Sequence, residues 1–391
     1  MSKSLYAMVA VLTLVFCAVG HAGEPGFKTI FNGKDLTGWD GRPGFWKVMD
    51  GHIRGQTTPQ NKAPGNTFLI WRGGKLKDFE LKITYRILTG NNSGVQYRSK
   101  EVSKWVVSGY QAEVQNQLNK TGFLYHEKGR GWMVDVGDFM EVSKDGQKSV
   151  VGVCADQSAI IKAPYHTNNE WNEYHFICRG NHVIHILNGY QTVEMIDKHV
   201  DQNKNSLKQR CMEGVLAVQI HGGGPMTVDY KDIRIRQLTD SFGEAKRLFN
   251  GKDLSGWSKT GNWSVKPLSD ESSIKARRRA KAIPFNVLAC SGESGGSIST
   301  TEGVGQSYIL RYQRRANRSD TAGKLKAVSQ QPVLGWETVE VTVNGKKASV
   351  KVNGVASDEK TMCGSGKVAI SSKDAAEYRN IVLIPIAQSG S

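Results

Sequence analysis

The chain has 391 residues, 39% of them apolar, with 43 glycines. That length and balance exclude a fibrous or wholly disordered chain and fit a β-rich globular protein of two ordinary-sized domains. Lys and Arg number 52 against 36 Asp and Glu, a formal net charge of +16. Apart from Lys275–Arg279 these charges are dispersed and no nucleic-acid motif accompanies them, so no nucleic-acid partner is expected.

In chain order, the first 22 residues stand apart. Lys3 gives a positive start, Leu5–Val19 is nearly all apolar, and small residues close the stretch at Ala22. This is a secretory signal peptide pattern, and its apolar run is short of the ~20 residues a membrane span needs. The expectation is an exported protein, periplasmic or extracellular, with no membrane span. Beyond the leader stand Cys154, Cys178, Cys211, Cys290 and Cys363. An odd number leaves at least one unpaired; one or two disulfides are open after export, and the lack of a CxxC pair argues against zinc.

The phrase "FNGKDLTGW", Phe31–Trp39, returns as "FNGKDLSGW", Phe249–Trp257. Later, Glu170–Gly189 aligns without gaps on Gly335–Gly354, with Trp171 on Trp336, Gly180 on Gly345 and Asn188-Gly189 on Asn353-Gly354. The organisation expected is a leader (1–22), a first unit (23–238), a linker (239–248) and a degenerate second copy (249–391). From Trp39 to Trp171 is 132 residues, but from Trp257 to Trp336 only 79. What is missing is the middle of the first unit. Ser272–Gln331 alternates poorly and is rich in Ser, Gly, Arg and Ala; it reads as a decayed sheet, a flexible insertion or a local frame error. The second copy is therefore not expected to hold the same site.

Each unit reads as β. "DFELKITYRI" sets Phe79, Leu81, Ile83 and Tyr85 on one face and Glu80, Lys82 and Thr84 on the other, the period of a half-buried strand. "EYHFIC" and "HVIHIL" flank "RGN" as a hairpin. Many strands with Gly-rich turns make an all-β sandwich or jelly roll. The repeated phrase then supplies an Asn-Gly turn and a buried Phe and Trp.

Three polar stretches of the first unit stand out. In "TGNNSGVQYRS" a turn leads into a strand, with Asn92, Ser93 and Arg98 as candidates for the rim of a groove, since amides and guanidinium groups offer fixed planar donors to sugar hydroxyls. The bland alternative is a hairpin with Arg98 in water. In "SGYQAEVQNQ" the residues Gln111, Glu113, Gln115 and Gln117 share one strand face, which is either solvent-exposed or a binding surface. Glu113 is its one ionisable member, which argues against a two-carboxylate glycosidase. Third, "TGFLYHEKGRGW" brings Tyr125, His126 and Glu127 together, and "AVQIHGGG" puts Gln219 and His221 on one face before a glycine loop. No P-loop, GxSxG elbow, HExxH or Rossmann fingerprint occurs.

With "FNGKDLTGW", "DFELKITYRI", "NNSGVQYRS", "YQAEVQN", "TGFLY", "EWNEYHF", "LNG" and "VQIHGGG…VDYKDIRI" in order, Phe27–Leu238 resembles the 3-keto-disaccharide hydrolase family. The resemblance implies a concanavalin A-like jelly roll with a concave ligand face, and action on glycosides oxidised at C3. A ketone at C3 acidifies the C2 proton. A base removes it, the enolate expels the C1 leaving group, and water adds back. On this reading Glu113 or His221 is the base, Tyr125 or Arg98 steadies the enolate, and Asn92, Ser93, Gln111, Gln115 and Gln219 hold the sugar. No cofactor is certain on this reading, and a divalent metal on Glu113 and His221 is an open option. One departure is that Asn116 and Gln117 stand where the family often has an acidic residue. The alternative is a non-catalytic glycan-binding module of the same fold. The partner is a carbohydrate in either case.

Overall fold

The computed structural model describes residues 24–89, 92–117, 121–155, 166–268, 281–282, 285–292, 295–316, 335–359 and 366–387. The expected leader, Cys363 and parts of Ser272–Gln331 lie outside them. Regular structure among the described residues is entirely β-strand. No described helix is long and apolar enough to cross a membrane.

The strand Phe79–Thr89 alternates as its sequence requires: Phe79, Leu81, Ile83 and Tyr85 are fully buried on the inward face. It pairs antiparallel with Asn172–Arg179 on one side and Met226–Gln237 on the other. The sheet continues through His182–Leu187 and Tyr190–Asp197 at one flank and through His52–Thr57 and Trp46–Met49 at the other. A second sheet runs in the order Gly131–Val134, Leu124–Glu127, Val106–Val114, Ser93–Ser103, Val215–Ile220, Thr67–Trp71, Trp39–Asp40. Phe79 and Leu81 of the first sheet share one core with Leu69, Val95, Tyr97 and Ala112 of the second. Two stacked sheets with inward residues interleaved form the expected jelly-roll sandwich.

The "RGN" hairpin is present, with Cys178 opposite Val183 and Arg179 opposite His182. Gly180 turns it at φ +53°, where a Cβ would stand 2.7 Å from the Gly243 carbonyl oxygen, so a side chain there is excluded twice over.

The outer face of Phe79–Thr89 departs from expectation. Glu80 and Lys82 were to face water, yet both are buried. Lys82 donates to Glu24 at 2.6 Å. Glu80 meets His175 at 3.0 Å and Arg236 at 2.7 Å. The alternation is right, but the N-terminal segment and the second half of the chain cover the face that it assigns to solvent.

That second half has its own sheet, in the order Trp263–Pro267, Asn286–Cys290, Ala376–Ala387, Ser307–Ala316, Glu337–Asn344, Lys347–Val352, Val355–Ser357. Against it lies a small sheet of Trp257–Gly261, Gly296–Thr300 and Ala369–Ser372. Three of these strands come from Ser272–Gln331, so that stretch carries sheet where it is described. Its period is hidden in Ser307–Ala316 because both faces are covered. Tyr308 and Leu310 enter the local core, while Ile309 joins Phe139, Ile196, Val382 and Ile384 in a cluster between the halves.

The repeated phrase makes the same bonds at both places. Asn32 accepts from the Lys34 and Asp35 amides, and Asn250 from those of Lys252 and Asp253. Trp39 Nε1 donates to the Ile30 carbonyl at 3.0 Å and Trp257 Nε1 to that of Leu248 at 3.2 Å.

Among the described residues the open question of disulfides is answered by four free thiols, Cys154, Cys178, Cys211 and Cys290. They sit on different elements, and burial raises the Cys178 and Cys211 thiols to about 12.

Candidate active site

In an antiparallel ladder, paired residues share a face and alternate residues along each strand share it too. In the second sheet Gly94 pairs with Glu113, Gln96 with Gln111, Gln111 with Tyr125, Ala217 with Gln96 and Gln219 with Phe68. Glu113, Gln111, Gln96, Gln219 and Tyr125 therefore stand on one face, the face turned away from the core. Asn92 and Gln115 extend that face at one end, and His221, two residues past Gln219, lies at the same end.

The side chains form a directed ladder of hydrogen bonds. Ser99 Oγ donates to Gln96 Oε1 at 2.8 Å, and Gln96 Nε2 to Gln111 Oε1 at 2.7 Å. Gln111 Nε2 donates to Glu113 Oε2 at 2.9 Å, and Gln115 Nε2 to Glu113 Oε1 at 2.7 Å. The order fixes each amide, because an amide that accepts on oxygen must donate from nitrogen. Gly94 makes the crossing possible. A Cβ there would stand 2.4 Å from Cδ of Gln111, whose side chain lies over the glycine on its way to Glu113.

Glu113 is 2% exposed. Burial pushes its carboxyl up to about 7, against the downward pull of hydrogen bonds from Gln115, Gln111 and Asn92 and with some help from the charge of Glu127. A carboxylate has about four acceptor sites, so the three amides leave it room to take a proton. Beside it Gln219 is fully buried, with neither amide oxygen nor amide nitrogen bonded, and Asn92 Oδ1 is likewise without a partner. Buried amides of this kind are rare unless something else meets them.

At the ends of the face, Tyr125 is half-buried and pairs with Trp132, which stacks on Phe123 with centroids 3.7 Å apart. His221 is also half-buried, its Nδ1 2.6 Å from the Gly222 carbonyl oxygen. Such a contact requires Nδ1 to carry the proton, which leaves Nε2 as the basic nitrogen of the neutral ring.

Two expected residues are elsewhere. Ser93 points inward, bonding the Gln219 carbonyl and, at 2.6 Å, the Tyr230 hydroxyl. Arg98 sits at φ +49° in a bulge that breaks the alternation. There it is buried, bonding the Lys77 and Gly180 carbonyls at 2.6 and 2.7 Å and Asp78 at 3.2 Å. Its donors hold loops together rather than facing a groove. Nor is Glu113 the sole carboxylate of the face, because Glu127 pairs with Gly109 on the same side and accepts from Asn66 at 3.1 Å. Gln96, Ser99 and Asn66 went unread as site residues. Alternation from Asn92 through Gly94 to Gln96 was the available signal for the first. Among the described residues no group of three His, Cys, Asp or Glu is placed to hold a metal ion, so the Glu113 and His221 option finds no third ligand of these types.

A buried carboxylate in a cradle of amides, on the outer face of a sandwich sheet, is a site suited to polyhydroxylated ligands. The chain belongs to the 3-keto-alpha-glucoside-1,2-lyase-like domain family, whose model matches residues 26–236. A 3-keto-disaccharide hydrolase of Bacteroides thetaiotaomicron is 33% identical over 84 residues, which span 20% of this chain and 29% of that relative. Among solved structures, a Parabacteroides distasonis protein described as a candidate glycosyl hydrolase is 16% identical, with 54% of this chain and 99% of that chain covered and a TM-score of 0.36. A carbohydrate-binding module of Bacillus subtilis is 15% identical, with 52% and 97% covered and a TM-score of 0.33. At these scores the two structures decide nothing about the site.

Proposed function

We propose that this protein cleaves 3-keto-glycosides on the outer face of its seven-stranded sheet, with Glu113 as the base. The carrying observation is the state of Glu113: buried, raised to about 7, and oriented by Gln111 and Gln115. A base of that strength is near the optimum for proton transfer at neutral pH. The Glu113 carboxylate takes the C2 proton, and the C–H electron pair moves into the enolate with its charge on the C3 oxygen. The Gln219 amide, buried and without a partner in the free protein, donates to that oxygen once its side chain turns to the bound sugar. Collapse of the enolate to the ketone forms the C1=C2 bond and breaks the bond from C1 to the departing oxygen. Tyr125 donates its hydroxyl proton to that oxygen. Water then adds its hydroxyl to C1, its other proton returns to the Tyr125 phenolate, and Glu113 gives the proton it took back to C2, which completes hydrolysis and restores both groups. This route removes Arg98 and Ser93 from the roles their sequence suggested and leaves Asn92 and Gln115 to orient the ring.

The test is product release from a 3-keto-disaccharide at pH 7.5. Glu113→Gln is expected to lower kcat/KM by at least about 10³-fold with the melting transition retained. A variant that still turns over at the wild-type rate removes Glu113 from the chemistry. Saturable binding with no product from the wild type would establish the glycan-binding module instead. We further propose that the chain is exported, on the leader pattern of Met1–Ala22. Protein that stays in the cytoplasm at the mass of the uncleaved chain contradicts that.

A further inference from the structure

We propose that Asn66 is the latch of the candidate site: its hydrogen bond to Glu127 closes the hollow over Glu113 and breaks to let the sugar in. The proposal rests on the reading of that face as the place of reaction, and it adds a residue which that reading does not use.

The outer face of the seven-stranded sheet is covered. Gln96 and Gln219 are fully buried, Ser99 is 1% exposed and Glu113 2%. A sugar cannot bring its C2 hydrogen to a base so enclosed, so part of the cover has to move. The bond from Asn66 Nδ2 to Glu127 Oε1, 3.1 Å long, shows how the cover is made. Glu127 ends the strand Leu124–Glu127, and Asn66 immediately precedes Thr67–Trp71. Three strands lie between those two in the sheet, Val106–Val114, Ser93–Ser103 and Val215–Ile220. That makes four spacings, about 19 Å on a flat sheet. For Asn66 and Glu127 to touch, the sheet has to curl until its flanks meet over the middle strands, and those strands carry Gln96, Gln111, Glu113 and Gln219.

Two elements cover the ladder, and they are held differently. One is the tip of the hairpin formed by Ser93–Ser103 and Val106–Val114, folded back at its bulges. Val107 is buried there against Phe68, Ile70 and Ala217. The Phe68 amide donates to the Trp105 carbonyl at 2.9 Å, and Trp105 Nε1 donates to Asp40 at 2.9 Å. Apolar burial and these bonds make the tip a fixed wall. The other element is a pair of loops, 58–66 and 221–225, in which residues 59–62, 64–65 and 223–225 are exposed. The two loops are joined to each other. Asn66 Oδ1 accepts from the Gly222 amide at 3.0 Å, and a Cβ on Gly222 would stand 2.7 Å from Cα of Gly65. Their tie to the far flank is the Asn66–Glu127 bond. Exposed loops with little apolar contact open at the lowest cost in a fold, and the glycine run 222–224 gives this one its freedom. When the bond breaks, the loops swing out with His221 and uncover the ladder; when it re-forms behind the sugar, bulk water is kept from the enolate.

The test is labelling of carboxyl groups by a water-soluble carbodiimide with glycinamide, read at Glu113 by peptide mass, with the exposed Glu213 as internal reference. Wild-type Glu113 is expected to react slowly. Asn66→Asp sets a carboxylate against Glu127, and labelling of Glu113 is expected to quicken about tenfold, the effect of losing one hydrogen bond to a charged group. In the double variant Asn66→Asp/Glu127→Gln the bond returns with its direction reversed, the new amide donating to the new carboxylate, and protection is expected to return with it. A general loosening of the fold would quicken labelling in both variants alike. Labelling reads the opening whether or not a sugar is turned over, so protection lost and regained in a protein without activity on 3-keto-disaccharides would uphold the latch while removing the reaction. Glu113 labelled in Asn66→Asp at the wild-type rate, or the double variant as open as the single one, overturns the proposal.

Discussion

The larger sheets of the two halves match closely and the smaller ones do not. Arg86 pairs with Asp229 at 2.9 Å in the first half, and Arg315 with Glu377 at 2.6 Å in the second. Arg86 and Lys231 lie over Trp171, as Arg315 and Arg379 lie over Trp336. Asp232 and Asn380 take the same positive φ, +48° and +53°, at the same bulge. The Glu173 amide donates to Asn188 and the Thr338 amide to Asn353. In the smaller sheets, register sets Trp257–Gly261, Gly296–Thr300 and Ala369–Ser372 against Trp39–Asp40, Thr67–Trp71 and Val215–Ile220. Nothing among the described residues answers to Ser93–Ser103, Val106–Val114, Leu124–Glu127 or Gly131–Val134. Those are the strands that carry Gln96, Gln111, Glu113 and Tyr125. Where Gln219 stands in the first half, register puts Ser371 in the second. The framework and the polar ladder are thus separable parts of this fold, and the second half keeps only the framework.

Four experiments can break that comparison or sharpen it. The largest effect is expected where the framework is most enclosed. Trp336 is fully buried and Trp171 half-buried, so Trp336→Ala is expected to cost about 3–5 kcal/mol and Trp171→Ala about 1 kcal/mol in urea unfolding. Equal costs would mean that the matched tryptophans do not differ in role as their burial says.

Next comes the price of keeping Glu113 buried. Its folded value of about 7 lies above the ordinary 4.5. The folded state therefore holds an extra proton between those limits. Its contribution is fully favourable below pH 4.5 and is lost as pH rises through 7, roughly 3 kcal/mol in all. Glu113→Gln is expected to gain about that much relative to wild type between pH 4.5 and 8. Parallel stability curves would show the carboxylate to be ionised at no cost.

Gln219→Ala is expected to lower kcat by about 10²-fold, the effect of losing one oxyanion donor, whereas Ser371→Ala leaves it unchanged. A comparable loss in both would place chemistry in the second half. The smallest effect is that of Gly94→Ala, which drives Gln111 off Glu113. One hydrogen bond lost from the charged form raises the carboxyl further, so the rise of kcat/KM with pH is expected to move upward, with about a tenfold loss at pH 7. An unmoved profile would mean that Gln111 does not set the base.

Much of this was readable in the sequence, and the failures have local causes. The period-2 run from Gln111 to Gln115 disclosed its face because strand geometry leaves no choice. The same rule, applied one stretch earlier, assigns Ser93 inward, where it meets Tyr230. Arg98 escaped because a bulge reverses the alternation between Tyr97 and Lys100, and a bulge has no reliable signature in a sequence without a glycine at the turn. Glu80, Lys82 and Ser307–Ala316 were misread for a shared reason. Long-range contacts cover their outer faces, and covering by segments distant in the chain leaves no local pattern.

The most direct test of the central claim is exchange of the C2 hydrogen of a 3-keto-disaccharide in deuterated buffer, followed by proton NMR as a function of pH. Wild-type protein is expected to accelerate loss of that signal with a midpoint near pH 7, and Glu113→Gln to leave only the uncatalysed rate. Equal acceleration by both proteins would contradict the assignment of Glu113 as the base.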